Sequence, residues 1–429
     1  MKSIKPGYKR ERTIFQQYEE IPEDWDFVSI SNLGKIIGGG TPKTTQLEYW
    51  ENGNIPWFTP GEITKIESNF VTDSERKITK KGLAESGAQS IPENNILITT
   101  RATIGNCVIN KKKCTTNQGF QNLIVNKNHN NKFLMYSIQF NKRRLRQFSQ
   151  GTTFLEISKI NFGKIKIPCP KNPKEEEKIA SILSNIDELI QKQQQIIEQT
   201  QKLMKGQMND LLTRGIGHSE FKIAQLVPKW NKSEKPDNWK IIKLSDVGEI
   251  ITGSTPSTSN LEFYGSDHVW ITPTDIQDES KIMNDSRIKL SKKGFEESRI
   301  VPEKSILFVC IASIGKIAMA GTEMCTNQQI NSLVCKEHDP NFVYYQLLFH
   351  SKKIKTLAGT TAVPIINKTN FGKYKITVPA DEKEEQEIGS ILSNLDLLIQ
   401  QEKQYKEKLE NLKRVLMQQL LTGEKRVIV

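Results

Sequence analysis

Ile179-Ala180-Ser181-Ile182-Leu183-Ser184-Asn185-Ile186-Asp187 returns 209 residues later as Ile388-Gly389-Ser390-Ile391-Leu392-Ser393-Asn394-Leu395-Asp396. Each copy opens a long run whose apolar residues recur every three or four positions, the period of one helix face. In residues 175–212 the series is Ile179, Ile182, Ile186, Leu189, Ile196, Leu203 and Leu211, with Gln193, Thr200 and Gln207 interrupting it at seam positions. The second series is Ile388, Ile391, Leu395, Leu398, Tyr405, Leu409, Leu412, Leu416 and Leu420, interrupted at Glu402. About ten turns at 1.5 Å per residue give helices of roughly 55–60 Å. A helix this long with one apolar stripe needs a partner, and each run offers the other a matching stripe. Because a whole domain lies between them, antiparallel pairing is the simpler arrangement. The alternative is that each helix lies along its own domain.

The repetition extends far beyond the helices. Pro22-Glu23-Asp24-Trp25 returns as Pro236-Asp237-Asn238-Trp239, Gly39-Gly40-Thr41-Pro42 as Gly253-Ser254-Thr255-Pro256, and Trp57 as Trp270. Thr79-Lys80-Lys81-Gly82 matches Ser291-Lys292-Lys293-Gly294, Ile104-Gly105 matches Ile314-Gly315, and Thr116-Asn117-Gln118 matches Thr326-Asn327-Gln328. Gly151-Thr152-Thr153 and Asn161-Phe162-Gly163-Lys164 return as Gly359-Thr360-Thr361 and Asn370-Phe371-Gly372-Lys373. The offset drifts only from 214 at Trp25 to 208 at Gly151, so the copies differ by small insertions. A period of this size is a duplicated domain, since stacked repeats run at about 20–50 residues.

Within each copy, short apolar runs punctuated by Gly, Pro and Asn read as strands and turns, as in 95–99 and 305–309. A helix follows near 132–148 and near 341–357. The fold class is therefore α+β: two similar mixed α/β domains, 1–170 and 215–380, joined by two long antiparallel helices, 171–214 and 381–422, that form a coiled coil.

With 429 residues and 36% hydrophobic content, the chain can bury two ordinary cores. Its formal charge of +12 favours a polyanionic partner without distinguishing DNA, RNA or an anionic surface. The N-terminal Met1-Lys2-Ser3-Ile4-Lys5-Pro6 has no apolar signal-peptide stretch. The most apolar run, 306–312, is far short of the roughly 20 residues that span a bilayer. Cys107, Cys114, Cys169, Cys310, Cys325 and Cys335 include no C-x-x-C pair, and the histidines lack ligand spacing, so neither a zinc site nor a disulfide framework is expected. A reduced, cytoplasmic protein without a membrane partner is the resulting expectation.

Catalytic signatures are few. There is no phosphate loop and no H-E-x-x-H, and Gly38-Gly39-Gly40 lacks dinucleotide-binding spacing. Glu75-Arg76-Lys77 has the E-x-K spacing of some metal-dependent nucleases, but its counterpart, Arg287-Ile288-Lys289, has lost the carboxylate.

Features suited to nucleic acid are more numerous. Lys142-Arg143-Arg144-Leu145-Arg146 places four cations over little more than one helical turn, and Lys352-Lys353-Ile354-Lys355 stands at the same place in the second copy. Such clusters neutralise phosphates without reading sequence; a solvated helix face is the competing assignment. Thr152, Thr153, Thr360 and Thr361 add hydroxyls nearby. Arg101, at a strand exit beside Thr103, suits bidentate contact with guanine, or else a surface ion pair. Its aligned residue is Ile311, and Arg143-Arg144 align with Lys353-Ile354, so the two copies are expected to read different bases. Thr41, Lys43, Thr255 and Ser257 lie in loops that offer phosphate contacts. Asn117, Gln118, Asn327 and Gln328 have amides that pair with adenine, but amides repeated in both copies are better explained as braces of a turn. Trp57 and Trp270 read as packing residues.

This ordered, duplicated set resembles the specificity subunit of type I restriction-modification systems. The residues that carry the resemblance are Gly39-Gly40-Thr41-Pro42, Ile104-Gly105, Thr116-Asn117-Gln118, Asn161-Phe162 and the helix start 179–187, each with its counterpart. The resemblance implies two target-recognition domains with the helices as spacers, reading an asymmetric, two-part duplex DNA site. It further implies assembly with two modification (methyltransferase) subunits and with restriction subunits. S-adenosylmethionine, ATP and Mg are then expected on those partners, with no cofactor bound and no catalysis performed by this chain. Two other classes stay open: an RNA-binding or scaffold repeat protein, and a stand-alone nuclease or methyltransferase.

Overall fold

The computed structural model describes residues 4–12, 18–149, 155–227, 231–277, 281–356, 358 and 364–428. The chain forms two compact units, Met1–Gln194 with Tyr405–Val429, and Gln195–Gln404. Both long runs are unbroken helices, Pro173–Arg214 and Glu382–Leu421. Each helix contributes residues to both units. The reason lies in burial. In the first unit Ile179, Ala180 and Leu183 pack with Leu420 and Leu421 in the core around Trp25 and Phe133. In the second, Met204, Met208 and Leu212 join Ile388, Leu392 and Ile399 around Trp239 and Phe342.

Within the first unit Lys413 Nζ meets Asp187 Oδ1 at 2.6 Å and Lys406 Nζ meets Gln194 Oε1 at 2.9 Å, so the helices run antiparallel. The seam differs from the stripe expected from the sequence. Leu189, Ile196 and Leu203 are 42–51% exposed, whereas Gln193, Ile197, Thr200, Met204 and Met208 are buried. Both sets have heptad spacing and lie four residues apart, and packing selects the mixed one.

Each unit has a five-stranded sheet of one order. In the first unit it is Gly34–Gly38, Gln121–Val125, Ile96–Ile98, Cys107–Asn110 and Phe70–Val71; in the second, Gly248–Thr252, Ile330–Cys335, Ile306–Val309, Ile317–Ala320 and Ile282–Met283. All pairs are antiparallel except the last in each sheet. The central strands are apolar at every residue because both faces are covered. Successive side chains point oppositely, so Ile96 and Ile98 enter one core while Leu97 enters another. Ile306 and Phe308 likewise part from Leu307 and Val309.

The duplicated tryptophans explain how each helix foot is fixed. Trp25 Nε1 donates to Glu175 Oε2 at 3.3 Å, and Arg426 grips the same carboxylate through Nε and Nη2 at 2.8 and 2.9 Å. In the second unit Glu384 accepts from Trp239 Nε1 and from the Ile216 amide, with His218 alongside. The neighbouring glutamates, Glu176 and Glu385, accept the Asn130 and Asp339 amides at 2.7 and 2.8 Å and contact His129 and His338. Carboxylates in the first turn also complement the helix dipole.

Among the described residues no helix is long and apolar enough to cross a membrane.

Candidate nucleic-acid interface

The Ile-Gly turns have one backbone geometry in both units. Thr99 and Thr100 leave the sheet, Arg101 bridges Glu156, and Ala102 turns left-handed at φ 61°. Ile311 bridges Ile365, and Ala312 has φ 61° as well. Matching hydrogen bonds hold the crossings. Ala102 N donates to Leu155 O and Ala312 N to Pro364 O, each at 3.1 Å; Ile157 N donates to Thr100 O at 3.0 Å and Ile366 N to Cys310 O at 2.9 Å. Gly105 and Gly315 end the turns at φ 83° and 97°, a region that favours glycine. A side chain at Gly105 would also strike Lys142 at 2.9 Å, which places this turn directly against the basic helical turn.

That basic turn is Lys142–Gln147, and its fellow is the last turn of Pro340–Lys355. Leu145 and Ile354 are the buried residues of the two turns, so they are structural equivalents. Arg143, Arg144 and Arg146 therefore stand opposite Lys352, Lys353 and Lys355. This corrects by one residue the sequence pairing of Arg143-Arg144 with Lys353-Ile354: three cations are matched, while Lys142 corresponds to Ser351. Arg143, Arg146, Lys352 and Lys355 are exposed. Arg144 is engaged by Glu19, and Lys142 donates to Asn106. Lys353 lies 5.7 Å from the Phe349 ring centre. Burial lowers the ammonium pKa of Lys142 and of Lys353.

The Gly-Thr-Pro loops are rigidly held. Thr41 Oγ1 donates to Gln118 Oε1 at 2.6 Å, and Thr255 donates to Gln328 in the same way. Trp57 and Trp270 give their ring N–H to Gly40 O and Ser254 O at 2.9 and 3.1 Å. Gly39 and Gly253 pass so close to the Thr116 and Thr326 carbonyls that a Cβ would lie within 2.4 Å. Asn117 Oδ1 and Asn327 Oδ1 accept the Gly119 and Gln329 amides at 2.9 and 3.1 Å. The repeated amides are thus turn braces. Lys43 is exposed at its loop, and Ser257 contacts Ser259 at 2.8 Å.

Arg101 Nε lies 3.8 Å from Glu156 Oε2, with both side chains over 40% exposed. The Thr103 hydroxyl, close behind, is buried without a hydrogen-bond partner. Thr152, Thr153, Thr360 and Thr361 fall outside the described residues. Arg76, within the E-x-K spacing, stacks 3.7 Å over the Trp50 ring, and Lys77 pairs with Asp73 at 2.7 Å. Among the described residues no three His, Cys, Asp or Glu side chains cluster as metal ligands. Glu19 and Glu156 carry no sequence signal of their own; only the match of Ile157 to Ile366 after the Gly-Thr-Thr repeat points to position 156.

These features define a class: a duplicated α+β protein that presents a basic helical turn beside the same left-handed turn in each copy. The model of the type I restriction modification DNA specificity domain matches twice, at residues 22–201 and 236–411. The chain belongs to that family. It is 28% identical over 420 residues to the type I restriction enzyme MjaIX specificity subunit of Methanocaldococcus jannaschii, covering 95% of each chain. A shorter stretch of 152 residues is 37% identical to the HindI specificity subunit of Haemophilus influenzae, covering 34% of this chain and 33% of that one. The crystal structure of a type I restriction-modification S subunit from M. genitalium has the same fold, with a TM-score of 0.60 at 16% identity over 92% of this chain and 96% of the other.

Proposed function

We propose that this chain is the non-catalytic, DNA-reading subunit of a type I restriction-modification complex, with each unit reading one part of an asymmetric, two-part duplex site. The observation that carries this reading is the matched placement of basic turn and Ile-Gly turn in both family-matched halves. Cations at equivalent places neutralise phosphates and set register; the neighbouring turn brings a side chain to the base edges. Residues 1–170 and 215–380 are the reading segments. Two modification subunits, and restriction subunits with them, supply the chemistry, together with S-adenosylmethionine, ATP and Mg.

Exposed apolar side chains on the long helices favour two like partners. The first unit exposes Leu189, Tyr405 and Leu412; the second exposes Leu398, Ile196 and Leu203, each 209 residues from its counterpart. Lys413–Asp187 sets Leu412 and Leu189 at one level of the first unit's helix pair. A repeated apolar face of this kind suits a subunit that docks twice.

The test is co-expression with a type I modification (methyltransferase) subunit, followed by genome-wide mapping of methylated adenines. An interrupted, non-palindromic motif is expected, as is preference of the purified chain for duplex DNA over RNA. The chain alone is expected neither to methylate nor to cut; metal-dependent cleavage abolished by Glu75→Ala would overturn the reading.

Replacing the exposed Arg143 and Arg146 by Ala weakens binding to all duplexes alike. The slope of log K against log salt falls by about one for each phosphate that is no longer neutralised. Anisotropy titrations at several salt concentrations measure it, and an unchanged slope would remove these cations from the interface.

A further inference from the structure

We infer that the side-chain pair at the bridge beside each Ile-Gly turn, Arg101 with Glu156 and Ile311 with Ile365, determines one base pair in each part of the site: G·C for the first unit and A·T for the second. This rests on the DNA-reading function proposed above.

The duplication supplies an internal control. The hydrogen bonds across the two bridges are the same in kind and nearly the same in length, and the flanking Ala102 and Ala312 share φ 61°. The residues after the bridge, Ile157 and Ile366, are buried in both units. At the bridge itself the side chains change from an ionic pair to two isoleucines, and unlike the neighbouring changes Thr99 to Val309 and Thr100 to Cys310, which are buried, these lie at the surface. A structural requirement would have kept their character, as it kept the Thr-Gln braces and the tryptophan N–H bonds. Phosphate contacts tolerate any sequence and stay alike in the two copies, as the matched cations do. A position that diverges on an unchanged backbone next to matched phosphate-binding cations is where reading belongs.

The chemistry on each side follows from what the groove offers. A guanidinium spans O6 and N7 of guanine, whereas an apolar side chain meets the thymine methyl. The Arg101 side chain is 41% exposed and can be reached from outside the protein. Its approach to Glu156 is 3.8 Å between half-exposed groups, and such a pair holds by no more than a few-fold. Guanine contact discriminates by about 5- to 150-fold. Glu156 positions the guanidinium over the turn and yields it to the base. In the second unit Ile365 is 48% exposed beside Ile311, an apolar surface that gains by covering a methyl group.

The test uses the full chain co-expressed with its modification subunit. Methylated motifs are mapped for the unsubstituted chain, Arg101→Lys, the double Arg101→Ile with Glu156→Ile, and the double Ile311→Arg with Ile365→Glu. Lysine keeps the charge opposite Glu156 but cannot make the two-pronged contact. Arg101→Lys is expected to relax one G·C position by about 5- to 150-fold and to leave the rest of the motif unchanged. The first double variant moves that position towards A·T, and the second moves one A·T position of the other part towards G·C. An unchanged motif in Arg101→Lys, together with unchanged motifs in whichever double variants fold, overturns the inference while the DNA-reading function stands. Absence of any sequence preference in the unsubstituted chain overturns both.

Discussion

Replacing residues 1–170 by the equivalent segment of a relative changes every base of one part of the methylated motif and leaves the other part intact. The second unit has its own core around Trp239 and Phe342, its own basic turn and its own Ile-Gly turn, and the replaced segment belongs to the first unit. The structure adds a condition. The first unit is completed by chain that stays behind: Leu420 and Leu421 fill its core, and Arg426 binds Asp24 at 2.7–2.8 Å as well as Glu175. The incoming segment must therefore carry an acidic residue at position 24 and Trp at 25. Without them the 2%-exposed Glu175 side chain loses its indole donor and Arg426 one of its carboxylates, a loss of about 2 kcal/mol or more. Mapping methylated adenines measures the outcome. Alteration of both parts, or a palindromic motif in the parent, would sink the two-reader view. Specific sites are typically favoured over random sequence by 10³–10⁷-fold, so a changed half-site is a large, easily scored effect.

What the sequence made legible, and what it did not, follows from range. The helices were readable because their period is local, within a few turns. Which stripe forms the seam was not, since Leu189-Ile196-Leu203 and the set running from Gln193 to Met208 share heptad spacing. Tertiary packing placed Gln193 and Thr200 inside, against their polarity, and left the leucines out. At the site, the basic turns showed as charge runs, but lysine-rich sequence gives no anchor for alignment, and only burial of Leu145 and Ile354 fixed the register. The partners of Arg101 and Arg144 lie 55 and 125 residues away. Two-residue strands such as Phe70–Val71 likewise have no pattern long enough to read.

Lys281→Met is expected to destabilise the second unit by about 3 kcal/mol. The two units balance one half-buried acid by different means. In the first, Asp187 receives Lys413 from the facing helix at 2.6 Å, with Tyr136 OH and Asn69 Nδ2 each at 2.5 Å. In the second, the residue equivalent to Lys413 is Met204, and Lys281 replaces Asn69. Its ammonium donates to Asn341 Oδ1, Tyr345 OH and Ser393 Oγ at 2.8–3.1 Å, and Tyr345 OH reaches Asp396 at 3.5 Å. Methionine would remove the donor from those acceptors and leave Asp396 without the buried cation that acts on it, while Lys403 acts on it from the helix. The double variant Lys281→Asn with Met204→Lys rebuilds the first unit's arrangement and should recover most of the loss. Titration gives a second readout. Burial brings the Lys281 ammonium down to about 8. Below that pH both folded and unfolded chains hold the proton. Above it the folded chain has released a proton that the unfolded chain still binds, so this group adds stability as pH rises from about 8 towards its ordinary value. Cys310, Cys325 and Cys335, pushed by burial to about 12, act with the opposite sign above pH 9. The lysine's share is therefore the difference between the unsubstituted chain and Lys281→Met, measured by denaturant unfolding between about pH 7.5 and 9.5. A constant difference across that range would show that Lys281 does not titrate there, and an unrescued double variant would show that the two charge arrangements are not interchangeable.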